Sequence, residues 1–415
     1  VLVEKSVTSS GITVVTEVMP SVRSVAIGAW VSVGSRDEGP GEHGCSHFLE
    51  HLLFKGTGRR TARDIAEELD AVGGELNAFT ARELTCFHAR VLDRDLPLAI
   101  DVLGDMLRDA TNAERDVDAE REVVLSELAI HDDTPDDVVI TDLTELVLGD
   151  HPLALDALGT FDSVTGMPRD TIDDFYRAHY RPSTLVVAAA GHVDHAEVVR
   201  LVDEHLGDLG RPGGERPVRT APVDPPVGRR VRTRPGEQVH VAVGGPAPAG
   251  GDPRRDALRV LDTLVGGGMS SRLFQAIRED RGLAYTTYSW ASGWSDAGMW
   301  GAYAGVAPRR LDELVEVLTT ELDALVDGIT VEEVERAKGA LQGGLVLGLE
   351  DPGSRMSMLG RWTAVGRELE DVDQLLARIR AVDLDAVRSV AGELHERPRH
   401  LAVVGPVDDA DAPGV

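Results

Sequence analysis

Three proton-active side chains stand within five positions of an otherwise apolar stretch: His47, Glu50 and His51 in "SHFLEHLLFKGT". On an α-helix, residues four apart share a face. His47 and His51 therefore project together, about one turn apart, with Glu50 on the flank of that face. Two imidazoles so spaced can bind one Zn2+. A catalytic zinc takes three protein ligands and keeps one position open for water, so a third ligand must come from elsewhere. The best source is "AEREVVLSELAI". There Glu120 and Glu127 lie two helical turns apart on one face, and Val123, Val124, Leu125, Leu128 and Ile130 surround Glu127. A carboxylate in such company is costly unless it is paired or ligates a cation. Glu120 would then orient a ligand. Glu122 is the alternative, but it points to another side of the helix. His43, in "GPGEHG", reads as surface loop, His88 as a strand residue, and Cys45 and Cys86 as packing.

These residues need a scaffold, and the chain spells it out twice. Leu96 and Leu311, Val117 and Val334, and Arg181 and Arg397 stand in matching contexts at offsets of 215, 217 and 216. In each half, strands lead into helices. In the first, strands "GITVVTEV" and "SVAIGAWVSVGS" precede helices on the HFLEH stretch and on "TARDIAEELDAVG". The latter opens after Thr61, an N-cap type, and stops at a Gly pair. A strand hairpin follows, then helices near 95–108, 116–130 and 135–148, helix "RDTIDDFYRAHY", strand "TLVVAAAGHV" and a last helix at about 194–207. Strands and helices do not strictly alternate, which argues for an α+β fold: two tandem homologous domains, each a mostly antiparallel sheet packed against helices. The expected boundaries are 1–210 for the first domain, 211–237 for a Pro/Gly/Arg-rich linker, and 238–415 for the second. Glu127 maps by the offset onto Gly344, and "ALRVLDTLVGGGMSSRLF" has no His pair, so the second copy is expected to be catalytically silent.

Composition narrows the partners. The chain has 415 residues, too many for one core, and 71 acids against 42 bases give a net charge of −29. Such a surface repels nucleic acid and anionic membranes and attracts cationic ligands, including basic peptides. Two cysteines form no disulfide framework and suit a reducing compartment. No apolar run reaches the ~18 residues of a membrane span. The N-terminal stretch lacks the pattern of a signal peptide, so cytoplasmic is the default, and without an initiator Met residues are expected upstream.

His47-Phe-Leu-Glu-His51 is the H-x-x-E-H pattern of the inverzincins. "HFLEHLLFKGT", "GGELNAFTARE" and "EREVVLSE", set in duplicated halves, resemble the pitrilysin/insulinase family of zinc metallopeptidases. The likeness is to the half-length branch that includes mitochondrial processing peptidase and its bacterial relatives, and it covers essentially the whole chain. It implies that His47, His51 and Glu127 bind one zinc per chain. It also implies that Glu50 polarises the attacking water and shuttles its proton. In "SSRLFQAIREDRGLAYTTYS" it picks out Arg278 and Tyr285 as donors to the substrate backbone and the oxyanion. Strand "ELNAFT" would border the site, with Asn77 and Ala78 binding an extended peptide. Longer family members carry four such repeats around a chamber; two repeats imply a homodimer, with a heterodimer of family relatives as the other arrangement. The expected activity is a zinc endopeptidase acting on peptides or unfolded segments. The alternative is a non-catalytic or presequence-binding subunit of a larger complex.

Overall fold

The computed structural model describes residues 3–209 and 218–414. The chain forms two compact units, and they are not its two consecutive halves. One comprises residues 1–129, 155–218 and 347–369; the other comprises 130–154, 219–346 and 370–415. Each unit thus takes in one segment from the other half of the sequence.

The first unit is built on strands β1 (Val3–Val7), β2 (Thr13–Val18), β3 (Ser24–Val31), β4 (Glu75–Thr80), β5 (Thr85–Leu92) and β6 (Leu185–Gly191). They form a six-stranded sheet in the order β1-β2-β6-β3-β5-β4, antiparallel except for the β2–β6 pair. Helices α1 (Cys45–Leu53), α2 (Ala62–Asp70), α3 (Leu96–Asp109), α4 (Glu114–Asp132), α6 (Phe161–Gly166), α7 (Arg169–His179) and α8 (His195–Leu206) accompany it, and α5 (Pro135–Leu148) follows α4 in the chain. One core joins Ile27, Ala29 and Val31 of β3 to Phe48, Leu49 and Leu52 of α1 and to Val117 and Val124 of α4.

Among the described residues, the second unit repeats this sheet without a counterpart of β1. Strands β7 (Arg229–Thr233), β8 (Val239–Pro246), β9 (Ala284–Gly293), β10 (Gly298–Val306) and β11 (His400–Gly405) lie in the order β7-β11-β8-β10-β9. The helices are α9 (Arg255–Gly266), α10 (Leu311–Asp323), α11 (Leu325–Gly328), α12 (Val331–Gly348), α14 (Val372–Ala381) and α15 (Leu384–Glu396), with α13 (Pro352–Ala364) between α12 and α14.

Helices α5 and α13, equivalent in the repeat, are the exchanged segments. In the first unit, α13 lies on the face of β3 opposite α1. The approach is close: a Cβ on Gly28 would sit 2.6 Å from Met356 Sδ, and one on Gly360 would collide with the Trp30 indole. Buried Arg355 pairs there with buried Glu17. In the second unit, fully buried Asp142 of α5 receives Arg230 Nη1 at 2.8 Å and Arg232 Nε at 2.6 Å. Both arginines belong to β7, in a stretch read from sequence as linker. Its residues 211–217 fall outside the described residues, but 229–233 pair in parallel with β11. "RRVRT" carries no apolar alternation because Asp142 and Glu145, not a hydrophobic core, receive its alternate side chains. Among the described residues, no helix is long and apolar enough to cross a membrane.

Candidate metal centre

Helix α1 begins after Gly44, whose φ of +90° suits glycine. A Cβ there would lie 2.9 Å from Gly159 Cα, so the chain crossing at that point leaves no room for a side chain. Two residues into the helix His47 projects, and His51 follows one turn later, their ring centroids 4.7 Å apart. Apolar Phe48, Leu49, Leu52 and Leu53 are buried on the opposite side, which fixes the rotation of the helix.

Helix α4 brings Glu127 to the same point. His47 Nε2 and His51 Nε2 are 3.3 Å apart, and Glu127 Oε2 lies 3.4 Å from the first and 3.5 Å from the second. A zinc ion bound at roughly 2.0–2.1 Å spaces tetrahedral ligand atoms about 3.3–3.4 Å apart. The three atoms therefore stand at the edge lengths that such an ion requires. Among the described residues they are the one cluster of this kind. Burial, then the neighbouring His51, pushes the His47 imidazole down to about 4. It is neutral near pH 7, the form that can donate a lone pair to a metal.

Glu120 sits two turns before Glu127 and behind His51. Its Oε2 is 3.1 Å from His51 Nδ1, and its Oε1 is 2.6 Å from Lys55 Nζ. The carboxylate thus fixes the ring so that Nε2 faces the cluster. Here the structure corrects an argument from sequence. The costly buried carboxylate on α4 is Glu120, whose side chain is 7% exposed. Glu127 is 39% exposed, and its neighbours Val123 and Ile130 are exposed too. The apolar residues around Glu127 in sequence do not surround it in space. Glu122 is exposed and takes no part in the cluster.

Glu50 lies beside the cluster, on the side of strand β4. Its Oε2 accepts from Thr80 Oγ1 at 2.5 Å. Burial raises its carboxyl above the usual range, while the Thr80 hydroxyl and His51 hold it down and Glu127 raises it further. That tuning suits a group that must both take and return a proton. Among the described residues β4 pairs only with β5, so it is an edge strand of the sheet. Asn77 and Ala78 lie on this strand, and the Ala78 N–H donates to Asn77 Oδ1 at 2.8 Å.

Arg121, one residue after Glu120, donates to the carbonyls of Val164 and Met167, and its guanidinium stands 5.4 Å from the Phe48 ring centroid. It ties α4 to α1. Lys55, Thr80 and Arg121 were not singled out from sequence. Lys55 carried a signal, since it stands four residues after His51 and is one of only three lysines. His43 is half-buried rather than surface, with Nε2 3.0 Å from the Asp156 carbonyl. His88 lies on β5, and Cys45 and Cys86 are buried and unbridged.

Arg278 and Tyr285 belong to the second unit and meet each other there. The guanidinium lies 4.3 Å from the Tyr285 ring centroid and donates to the Tyr285 carbonyl at 3.0 Å. The tyrosine is 76% exposed.

Known proteins resemble this chain over nearly its full length. Residues 13–160 match the family model described as insulinase, peptidase family M16, and residues 166–341 match that described as the peptidase M16 inactive domain. An "uncharacterized zinc protease" of Streptomyces coelicolor is 48% identical, across 99% of this chain and 91% of that protein. The "uncharacterized zinc protease YmxG" of Bacillus subtilis is 36% identical across 98% of both. In fold, a protease from Helicobacter pylori matches with a TM-score of 0.91 at 21% identity, over 98% of this chain and 99% of that one. A chain of complex III from Candida albicans matches with 0.85 at 18%, over 98% and 97%. On these matches, the chain belongs to the insulinase family of M16 peptidases.

Proposed function

We propose that the protein is a zinc-dependent endopeptidase that hydrolyses peptides or unfolded segments. The observation that carries this reading is the convergence of His47 Nε2, His51 Nε2 and Glu127 Oε2 at tetrahedral spacing beside Glu50. The names of the relatives support it. Zinc held by these three residues would supply Lewis acidity and lower the pKa of a water toward ~7. Glu50 takes the proton from the attacking water as its oxygen adds to the peptide carbonyl carbon. It then delivers that proton to the departing amine as the C–N bond breaks. Glu120 and Lys55 hold His51 in place throughout. Edge strand β4, at Asn77 and Ala78, is suited to receive an extended peptide through backbone hydrogen bonds, which gives weak sequence preference. Arg278 and Tyr285 are proposed as donors to the peptide backbone and the oxyanion. The excess of acids favours basic substrates, and a second copy of the chain is proposed to close the chamber.

The test is cleavage of a quenched basic peptide of about ten to twenty residues, long enough to lie as a strand along β4. Wild type and Glu50→Gln are compared, with metal content measured on both. Cleavage by wild type alone, with about one zinc on each chain, is the expected result. A wild type that binds no zinc and cuts nothing would favour a non-catalytic subunit instead.

A further inference from the structure

Helix α1 carries His47, Glu50 and His51, yet it has no cap of its own. Its N-cap is Gly44, which makes no side-chain hydrogen bond, so the amides of the first turn must find acceptors elsewhere. Two N–H groups at the helix start find the same carboxylate. Gly44 N–H donates to Glu38 Oε2 at 2.9 Å, and Ser46 N–H donates to Glu38 Oε1 at 2.8 Å. Each oxygen takes one amide, at the helix end where the dipole favours a carboxylate over its protonated form.

Glu38 is itself held. It follows a tight turn at Ser35–Asp37, whose Asp37 Oδ2 accepts from Gly34 N–H at 3.0 Å. That turn is bound to the β4–β5 connection: Arg36 N–H donates to the Arg82 carbonyl at 2.9 Å, and Ser35 N–H to the Ala81 carbonyl at 3.3 Å. The loop between Glu38 and α1 is closed by Gly39 N–H on Glu42 Oε2 at 2.6 Å and by Cys45 N–H on the Glu42 carbonyl at 2.8 Å. Glu38 therefore links the start of the histidine helix to the same hairpin whose Thr80 holds Glu50.

We propose that Glu38 is a positioning residue for the metal centre: its two carboxylate oxygens fix the first turn of α1, and so the place of His47, relative to the β4–β5 hairpin. This rests on the reading of His47, His51 and Glu127 as metal ligands. Glutamine cannot substitute. Its amide nitrogen is a donor, and it would face one of the two N–H donors. Glu38→Gln thus removes one bond and sets two donors against each other at almost constant volume.

The experiment measures zinc affinity of full-length wild type and Glu38→Gln by competition with a chromophoric chelator, with hydrogen exchange on the metal-free proteins. We expect zinc to bind the variant about tenfold more weakly or worse. The amides of Gly44 and Ser46 should exchange at least about tenfold faster, while those of α4 keep their wild-type rates. A variant that binds zinc within about twofold of wild type overturns the proposal. So does weakened binding with exchange raised throughout α1 and α4, which would mark general loosening. If the variant does not fold, wild-type exchange decides: protected amides at Gly44 and Ser46 in the metal-free protein support the clamp, and rapid exchange there overturns it. Failure of wild type itself to bind zinc is a separate outcome, which removes the metal reading and this proposal with it.

Discussion

The Thr80 hydroxyl donates to Glu50 Oε2 at 2.5 Å, joining the last residue of an edge strand to the side chain that lies beside the His47–His51–Glu127 cluster. The bond sets the direction of the carboxylate and lowers the cost of its negative charge. Thr80→Val keeps the shape and the β-branched preference of the strand but removes the donor. A hydrogen bond to a charged group is worth about 1.5–3 kcal/mol. We expect kcat to fall roughly ten- to hundredfold, with zinc affinity unchanged and Thr80→Ser close to wild type. Steady-state kinetics with metal analysis would settle it; an unchanged kcat in Thr80→Val would show that Glu50 is aimed by something else.

Glu50→Gln separates proton transfer from metal binding. The amide is nearly isosteric and cannot accept a proton from water. General-base catalysis contributes about 10²–10⁴ in rate. We expect hydrolysis to fall by that much, while zinc stays near one per chain because Glu50 is not among the three converging ligand atoms. Full activity in this variant would exclude Glu50 as the base.

Much of this arrangement was legible in the sequence, and its limits are instructive. Helix α1 could be read because its apolar residues leave His47 and His51 on one face, and a helical spacing is a strong geometric constraint. The repeat could be read because α3 and α10, which open at Leu96 and Leu311, keep the same offset as the sequence match. Membership of the insulinase family followed from these motifs together. What escaped were contacts between residues distant in the chain. Which carboxylate of α4 is buried depends on how that helix lies against α1, so Glu120 rather than Glu127 proved enclosed. The exchange of residues 130–154 and 347–369 could not be read, because which sheet α5 and α13 pack on is set by contacts between residues distant in the chain. Strand β7 was hidden because its Arg230 and Arg232 are satisfied by Asp142 and Glu145.

Glu120 offers a third test. Its Oε2 meets His51 Nδ1 and its Oε1 meets Lys55 Nζ, so it serves the ring and its own counter-charge at once. Glu120→Gln keeps the size, loses the charge and weakens the hold on the imidazole. Partners of this kind typically contribute ten- to hundredfold in metal affinity, and we expect a loss in roughly that range. Glu127→Gln, which replaces a converging oxygen itself, should lose more. Chelator competition on the two variants would show the order, and equal losses would mean that Glu120 is a ligand in its own right.

The pH dependence of the metal-free protein provides the last test, because two groups near α1 act in opposite directions. The His47 imidazole is lowered from 6.5 to about 4, chiefly by burial and then by the neighbouring His51. In that window the unfolded chain binds a proton that the folded chain refuses. The stability His47 contributes is therefore present above 6.5 and is lost as the pH falls through 4. Glu38 is raised from 4.5 to about 7, with burial the largest cause. The Ser46 and Gly44 amides oppose the shift, and the Glu42 charge adds to it. Here the folded chain holds a proton that the unfolded chain releases, so the part of the stability linked to that proton is complete below 4.5 and is lost as the pH rises through 7, while the two amide bonds favour the ionised form. Between about 4.5 and 6.5 the two slopes oppose each other. Denaturant unfolding across that range should show stability falling more steeply on acidification in Glu38→Gln than in wild type, and less steeply in His47→Gln. Parallel curves for wild type and Glu38→Gln would show that the carboxyl keeps its ordinary acidity, and that the two amides outweigh its burial.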